Sequence, residues 1–214
     1  ADWHGAAEKT SQTSFWIASG ALVFDVAGPR RASCQSAASA IHSARLGGKR
    51  RAALLAAGGF SDFSDPESAE AFGDLRARAT ENRRQARDWA VGPAGVAAGA
   101  EVRSIERLRW WSELGTYRFL LSPWGDGVQS PKAIEALLVL TVPIVMRGSF
   151  PVFDELIELG FPLVVVDDWS EVTADLLDER WEALSPRLEE FRRTCLNTTG
   201  YWRLVTGQSR RCGG

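Results

Sequence analysis

Glycines, a helix-starting serine and a charged pair fall close together near the middle of the chain, at Gly125, Gly127, Ser130, Lys132 and Glu135. An apolar run over 117–122 reads as a strand, 123–129 as a loop, and Ser130-Pro131 as the start of a helix reaching about Leu140. The Ser130 hydroxyl suits an N-cap, and Pro131 suits the first helical position because it has no N–H to leave unpaired. The loop thus delivers the chain to a helix N-terminus, where free N–H groups and the macrodipole favour an anion such as phosphate. Lys132 adds positive charge in the first turn, unless it is merely a solvated side chain. Glu135 lies in an otherwise apolar helix, where an isolated charge needs a partner; the plain alternative is an exposed helix carboxylate. Asp167 and Asp168 end a later apolar run, either as ligands at the carboxyl end of a strand or as caps of the next loop.

The elements that must position these residues are clearest in the C-terminal half. Residues 142–146 and 162–166 are continuous apolar runs without alternation, the pattern of strands covered on both faces in a mostly parallel sheet flanked by helices. Pro143 and Pro162 fall at strand entrances, where a missing donor is tolerated. Thr173 is the expected N-cap of a helix over 174–184, and Pro186 the start of a last helix to about Leu196. Upstream, 15–26 and 52–57 read as strands, 69–89 as a charged, solvent-facing helix, 92–99 as a Gly/Pro loop, and 103–115 as a helix with Leu108, Trp111 and Leu114 on one face. Trp124, Trp169 and Trp181 are expected as core or staple residues rather than sugar platforms.

Composition excludes several classes. The chain has 214 residues, is 45% apolar and carries a net charge of −2, which gives no electrostatic case for nucleic acid. The basic spots at Lys49-Arg50-Arg51 and Arg83-Arg84 read as solvated faces. No apolar run approaches the roughly 18 residues of a membrane span, so the chain as given reads as soluble. It begins with Ala1, so a processed or trimmed chain is open, and any targeting segment would precede it. Cys34, Cys195 and Cys212 are odd in number and widely spaced, which argues against a disulfide framework and a Cys-rich zinc site. His4 and His42 have no second ligand at metal spacing, so no metal site is expected. Asn197-Thr198-Thr199 is a glycosylation sequon that matters only in a secretory lumen.

The segment running through Ser122-Pro123-Trp124-Gly125-Asp126-Gly127, Lys132 to Leu137, Val142-Pro143-Ile144-Val145 and Leu163 to Trp169 resembles the C-terminal, donor-binding half of exostosin-like glycosyltransferases. That family shows a Ser-Pro-x-Gly loop, an Arg three residues before Glu-Ala-Leu, a Pro-Ile-Val strand and a Val-x-x-Trp strand end. The resemblance covers about 115–185, with a weaker extension back to the strand at Ala52. It implies a Rossmann-like α/β domain, the C-terminal half of a GT-B fold, over 51–214, with 1–50 a remnant of an N-terminal region or a linker. It further implies a nucleotide-sugar donor, a glycan or glycoprotein acceptor, transfer without a tightly bound metal or other cofactor, and a Golgi or secretory location. Donor contacts carry over to Ser122, Gly125, Gly127, Ser130, Lys132, Glu135 and Asp168, with Glu135 expected to bond the ribose hydroxyls. Lys132 stands where the family has Arg, keeping the charge but losing the bidentate fork, and Gln129-Ser130-Pro131 also departs from the pattern. No general base is identifiable, since in GT-B enzymes it lies on an acceptor-side domain that 1–50 are too short to form.

Two other readings stay open. Residues 125–130 narrowly miss a dinucleotide fingerprint, and Arg147 at the end of the next strand suits a 2′-phosphate, as in an NADP-binding oxidoreductase. The third reading is a non-catalytic Rossmann-like domain that keeps the fold for binding or structure.

Overall fold

The computed structural model describes residues 29–49, 54–57, 66–125, 130–149 and 151–212. Five strands form one sheet: β1 (Leu54–Ala57), β2 (Ala100–Arg103), β3 (Phe119–Leu121), β4 (Val142–Met146) and β5 (Val164–Val166), in the order β2-β1-β3-β4-β5. Every pairing is parallel, with Leu54 opposite Ala100 and Phe119, Phe119 opposite Val142, and Ile144 opposite Val164. The expected parallel α/β sheet therefore forms, with the three strands of the C-terminal half as neighbours. The order reverses between β1 and β3: the chain moves outward to β2 on one side and to β4 and β5 on the other. In such doubly wound sheets the crevice at that reversal, beyond the carboxyl ends of the strands, is where ligands bind.

Burial explains the central strands. All of Phe119, Leu120 and Leu121 are buried, as are residues 142–145. Strands covered on both faces have no polar side to alternate with. Pro143 pairs with Leu120, and β5 begins one position later, opposite Ile144, so its missing donor falls at the strand entrance as expected. The edge strand β2 is a correction, since 103–115 was expected to be helical from its start. Its Val102 and Arg103 are exposed, and a half-solvated edge strand carries no apolar run to announce it. The helix α4 covers only Trp110–Leu114; Trp111 and Leu114 are buried, but Leu108 is exposed and outside it.

Helices α1 (Pro29–Ser43), α2 (Pro66–Val91), α3 (Pro93–Ala97), α5 (Pro131–Leu138), α6 (Val152–Glu158), α7 (Ala174–Thr194) and α8 (Thr198–Val205) complete the body. The strand expected at 15–26 lies outside the described residues. Residues 29–49, expected in an N-terminal remnant or linker, pack on the α/β body: Ala37, Ala40 and Ala44 are buried in its core, and α1 rests on α4. The expected loop at 92–99 contains α3. The expected solvent-facing helix is α2, and it is not solvent-facing throughout. Ala79, Asn82, Ala86 and Ala90 recur at helical spacing and are buried, and these small side chains let the helix lie close to the sheet. α7 runs unbroken through Pro186, where a new helix was expected to start. Pro186 and Glu182, whose carbonyl loses its helical donor, are both exposed, so water can satisfy that carbonyl. Thr173 caps α7 as expected, accepting from Leu176 N at 3.2 Å.

The cysteine expectation also needs correcting. Cys195 and Cys212 form a disulfide with their Cα atoms 5.5 Å apart, closing a sequence separation of 17; a loop of that size contributes about 3 kcal/mol. It holds the segment carrying α8 against the rest. Cys212 N donates to Leu159 O at 2.8 Å, and Arg211 Nε to Glu158 O at 3.0 Å.

Helix α5 ends in a six-residue C-cap. Thr141 N returns to Ala136 O, Leu140 N to Leu137 O, and Leu140 takes a left-handed φ of 62°. The expected end near Leu140 is two residues late for this reason. A leucine costs about 1–2 kcal/mol there, offset by its complete burial. The Thr141 hydroxyl lies 3.0 Å from the carbonyls of Leu114 and Tyr117. Lys49, expected on a solvated face, instead donates to Val139 O at 2.7 Å and Thr141 Oγ1 at 2.9 Å. Burial, reinforced by Arg192, lowers the Lys49 pKa to about 7. Between pH 7 and its ordinary value of 10.5 the unfolded chain therefore binds a proton that the folded chain does not, and stability rises with pH across that window. We predict that Lys49→Met flattens this rise, by at most about 1.4 kcal/mol per pH unit, when melting temperatures of both proteins are followed from pH 7 to 10.

Candidate functional site

The carboxyl end of β3 is the focus. Ser122 follows the strand directly, and its N–H extends the β4 ladder to Ile144 O at 2.9 Å. Its side chain is buried with 2% exposure, yet the hydroxyl has no hydrogen-bond partner among the described residues. A buried hydroxyl left unpaired is costly, so its place beside the candidate crevice is informative. Gly125 is half-buried, while Gly127 lies outside the described residues. The chain reappears at Ser130, whose hydroxyl caps α5 by accepting from Lys132 N at 3.3 Å. The expected N-cap, the expected proline at the first position and the strand–loop–helix order are thus all present.

Lys132 and Glu135 stand one turn apart on α5, and Trp110 of α4 meets both. The indole Nε1 donates to Glu135 Oε2 at 2.8 Å, and Lys132 Nζ lies 5.9 Å from the centre of the indole ring. The partner that an apolar helix demands for Glu135 is therefore an indole N–H together with the lysine charge. Burial raises the Glu135 pKa, against the Trp110 hydrogen bond and Lys132. It lowers that of Lys132, where Glu135 opposes the shift and Arg83 adds to it. The pair is a desolvated acid and base held at a helix N-terminus. It offers acceptors for hydroxyls and positive charge for phosphate in one place.

Helix α2 forms a roof over the carboxyl ends of β3 and β4. Asn82 Oδ1 accepts from Trp124 N at 3.0 Å, its Nδ2 donates to Met146 Sδ at 2.9 Å, and its carbonyl accepts from Trp169 Nε1 at 3.3 Å. Arg83, expected on a solvated face, reaches Trp124 O with Nε at 2.7 Å; Arg84 is exposed and pairs with Glu81 and Asp88. Trp124 is 3% exposed and donates to Met146 O. Trp169 is also buried, and Trp181 packs edge-on against Phe119, so all three act as the expected core and staple residues. Gly148, at φ 69°, lies against the Trp124 ring; a Cβ there would come within 1.9 Å of it, so no other residue fits. A groove of about 420 Å³ runs between α2 and this floor, lined by Arg78, Asn82, Gln85, Trp124, Met146 and Gly148.

The end of β5 takes a different part. Asp168 is exposed and caps the short turn Trp169–Glu171: Oδ1 accepts from Ser170 N at 2.8 Å, and Glu171 returns to the backbone N–H of Asp168. Those hydrogen bonds from Ser170 hold its carboxyl below the usual range. The capping alternative thus accounts for Asp168, which is not brought together with Lys132 and Glu135 by any contact among the described residues. Arg147 sits between Asp154 and Asp167, at 3.3 and 3.4 Å, and ties the ends of β4 and β5. Trp110, Asn82 and Arg83 are the site-edge residues that sequence reasoning missed. Their contacts span sequence separations of 25 to 87 that no local pattern encodes. Among the described residues no cluster of three or more potential metal ligands occurs, and no helix is long and apolar enough to cross a membrane. In comparisons with known proteins, no family profile matches the chain and no curated protein matches it.

Proposed function

We propose that this chain is a glycosyltransferase-like domain of the GT-B donor-binding type, holding a nucleotide-sugar donor at the carboxyl end of β3 for transfer of its sugar to a hydroxyl of a glycan or glycoprotein acceptor. The observation that carries the reading is the convergence of Lys132 and Glu135 on Trp110 within the first turns of α5, whose N-terminus is capped by Ser130. The strand order supports the place, because the crevice of a doubly wound sheet opens beside β3. The resemblance in sequence to exostosin-like transferases supports the ligand class and a Golgi or secretory location.

In this reading the acceptor hydroxyl attacks the anomeric carbon while the nucleoside diphosphate leaves toward Ser130. The N–H groups of the α5 terminus and Lys132 offset the negative charge that develops on the leaving phosphate, a preorganised electrostatic effect. Ser122 and the loop at Gly125 and Gly127 contact the diphosphate, and the free side of Glu135 takes the ribose hydroxyls. A non-catalytic binding domain is the second reading. Its support is the roof of α2, which bridges the ends of β3 and β4 through Asn82 and narrows the space above them. The NADP reading has less support, since Arg147 is engaged by two carboxylates.

Calorimetry with a panel of nucleoside diphosphates tests the site. Glu135→Ala is expected to weaken binding by about 1–3 kcal/mol, the scale of hydrogen bonds to a charged group, without loss of fold. Equal affinities would remove Glu135 from the site, and absence of binding by the wild-type chain would sink the donor assignment. Incubated with nucleotide sugars and simple glycan acceptors, the chain alone is expected to give neither free nucleoside diphosphate nor glycosylated product at an enzymatic rate. Catalysis requires the acceptor to be held in near-attack geometry, and no acceptor domain is seen among the described residues. Robust turnover abolished by Glu135→Ala would overturn this half-enzyme view.

A further inference from the structure

The C-terminal segment carries two features that the donor site does not use: the Cys195–Cys212 disulfide and the sequon at Asn197. They lie two residues apart at the junction of α7 and α8. Disulfides persist in oxidising compartments and are rare where thiols are kept reduced. The pairing here is built into the packing. Cys195 is 5% exposed and its N–H donates to Phe191 O, while the Cys212 N–H donates to Leu159 O. In the same compartments Asn-x-Thr is an acceptor for glycan.

Asn197 is placed to carry a glycan without loss of the fold. It is the N-cap of α8, with Oδ1 accepting from Gly200 N at 2.8 Å and Nδ2 donating to Arg193 O at 2.5 Å. The cap needs only the oxygen, which N-glycosylation leaves intact. The amide nitrogen has two hydrogens, of which the bond to Arg193 uses one; glycosylation replaces the other. Thr198 and Thr199 are exposed, so the flanking surface is open to solvent. The groove behind α8 is lined by Cys195, Gly200, Arg203 and Cys212 and does not include Asn197.

We infer that Asn197 is an N-glycosylation site and that the Cys195–Cys212 bond and this glycan are formed together in an oxidising secretory compartment. The disulfide forms as the two thiols lose two protons and two electrons to a protein disulfide donor, which is reduced to its dithiol. The glycan is added while the segment is still extended, when Asn197 Nδ2 attacks the anomeric carbon of a lipid-diphosphate-linked oligosaccharide. The carbon–nitrogen bond forms, the carbon–oxygen bond to the diphosphate breaks, the amide loses one proton, and the lipid diphosphate departs. The acceptor sequon must be presented extended, so transfer precedes the winding of α8 on Asn197.

The test uses the full protein from its own cells, digested without reduction and treated with a peptide N-glycosidase in heavy-oxygen water. Asn197 is expected as heavy-labelled aspartate, in a peptide linked to the one containing Cys212 until reductant is added. Expression of the full chain behind a secretory leader gives a second measurement. Thr199→Ala, which leaves the Asn197 cap in place, should abolish the glycosidase-sensitive mass, and Cys212→Ser should raise occupancy by keeping the sequon extended for longer. Unlabelled Asn197 in the native protein, or Cys195 and Cys212 that alkylate without reduction, would overturn the inference. Neither outcome depends on whether the chain binds a nucleotide.

Discussion

The length of α5 is the constraint on which the site depends. The helix has eight residues and is closed at both ends by sequence: Ser130 and Pro131 set its start, and the turn through Leu140 sets its stop. The strands on either side are buried, so the polar groups where α5 meets them must find partners within the protein. Thr141 takes two carbonyls, and Lys49 takes the carbonyl of Val139. With its C-terminus fixed so tightly against β4, the N-terminus of α5 cannot drift from the carboxyl end of β3. Lys132 and Glu135 inherit that placement and reach Trp110 because α4 lies across the same edge.

Legibility in the sequence followed burial. β4 could be read to its ends because five consecutive apolar residues inside a parallel sheet leave no other reading, and Ser130 and Thr173 could be read as caps because their chemistry is local. β2 and the true role of α2 were hidden. An edge strand such as Ala100–Arg103 is half-solvated and lacks pattern, and the alanines of α2 suit a solvent-facing helix as well as one pressed against a sheet. Pro186 misled because the proline rule assumes that the orphaned carbonyl is costly, which water removes on an exposed face. The disulfide was hidden because an odd count of cysteines speaks to the total and not to one pair. At the site, Lys132 and Glu135 could be picked out by type, but Trp110 could not, since its link to Glu135 exists only once β2, α4 and β3 have brought 110 and 135 together.

The fold sets two demands against each other at the carboxyl edge. A ligand crevice needs open space at this edge, while α2 brings Asn82 down onto Trp124 and Met146 and narrows the space beyond β3 and β4 to a groove. Asn82 is 4% exposed and serves three elements at once, so removing it would cost more than one hydrogen bond; the roof is structural. Lys132 and Glu135 lie on α5, which packs on β3 and β4, and both meet Trp110 of α4. The β5 end is taken up by Arg147 and the Asp168 cap.

The same burial sets how that pair would respond to a phosphate. Desolvation pulls the pKa of Lys132 down and pushes that of Glu135 up, so each weakens the other's charge less than water would and relies on its partner more. A phosphate placed at the N-terminus of α5 adds negative charge beside both. It favours the ammonium of Lys132 and disfavours the carboxylate of Glu135, so both shifts run in the direction of proton uptake. An arginine at position 132 would keep its charge in either state. Burial acts against both charges, and the Trp110 N–H holds the Glu135 carboxylate in place beside the lysine.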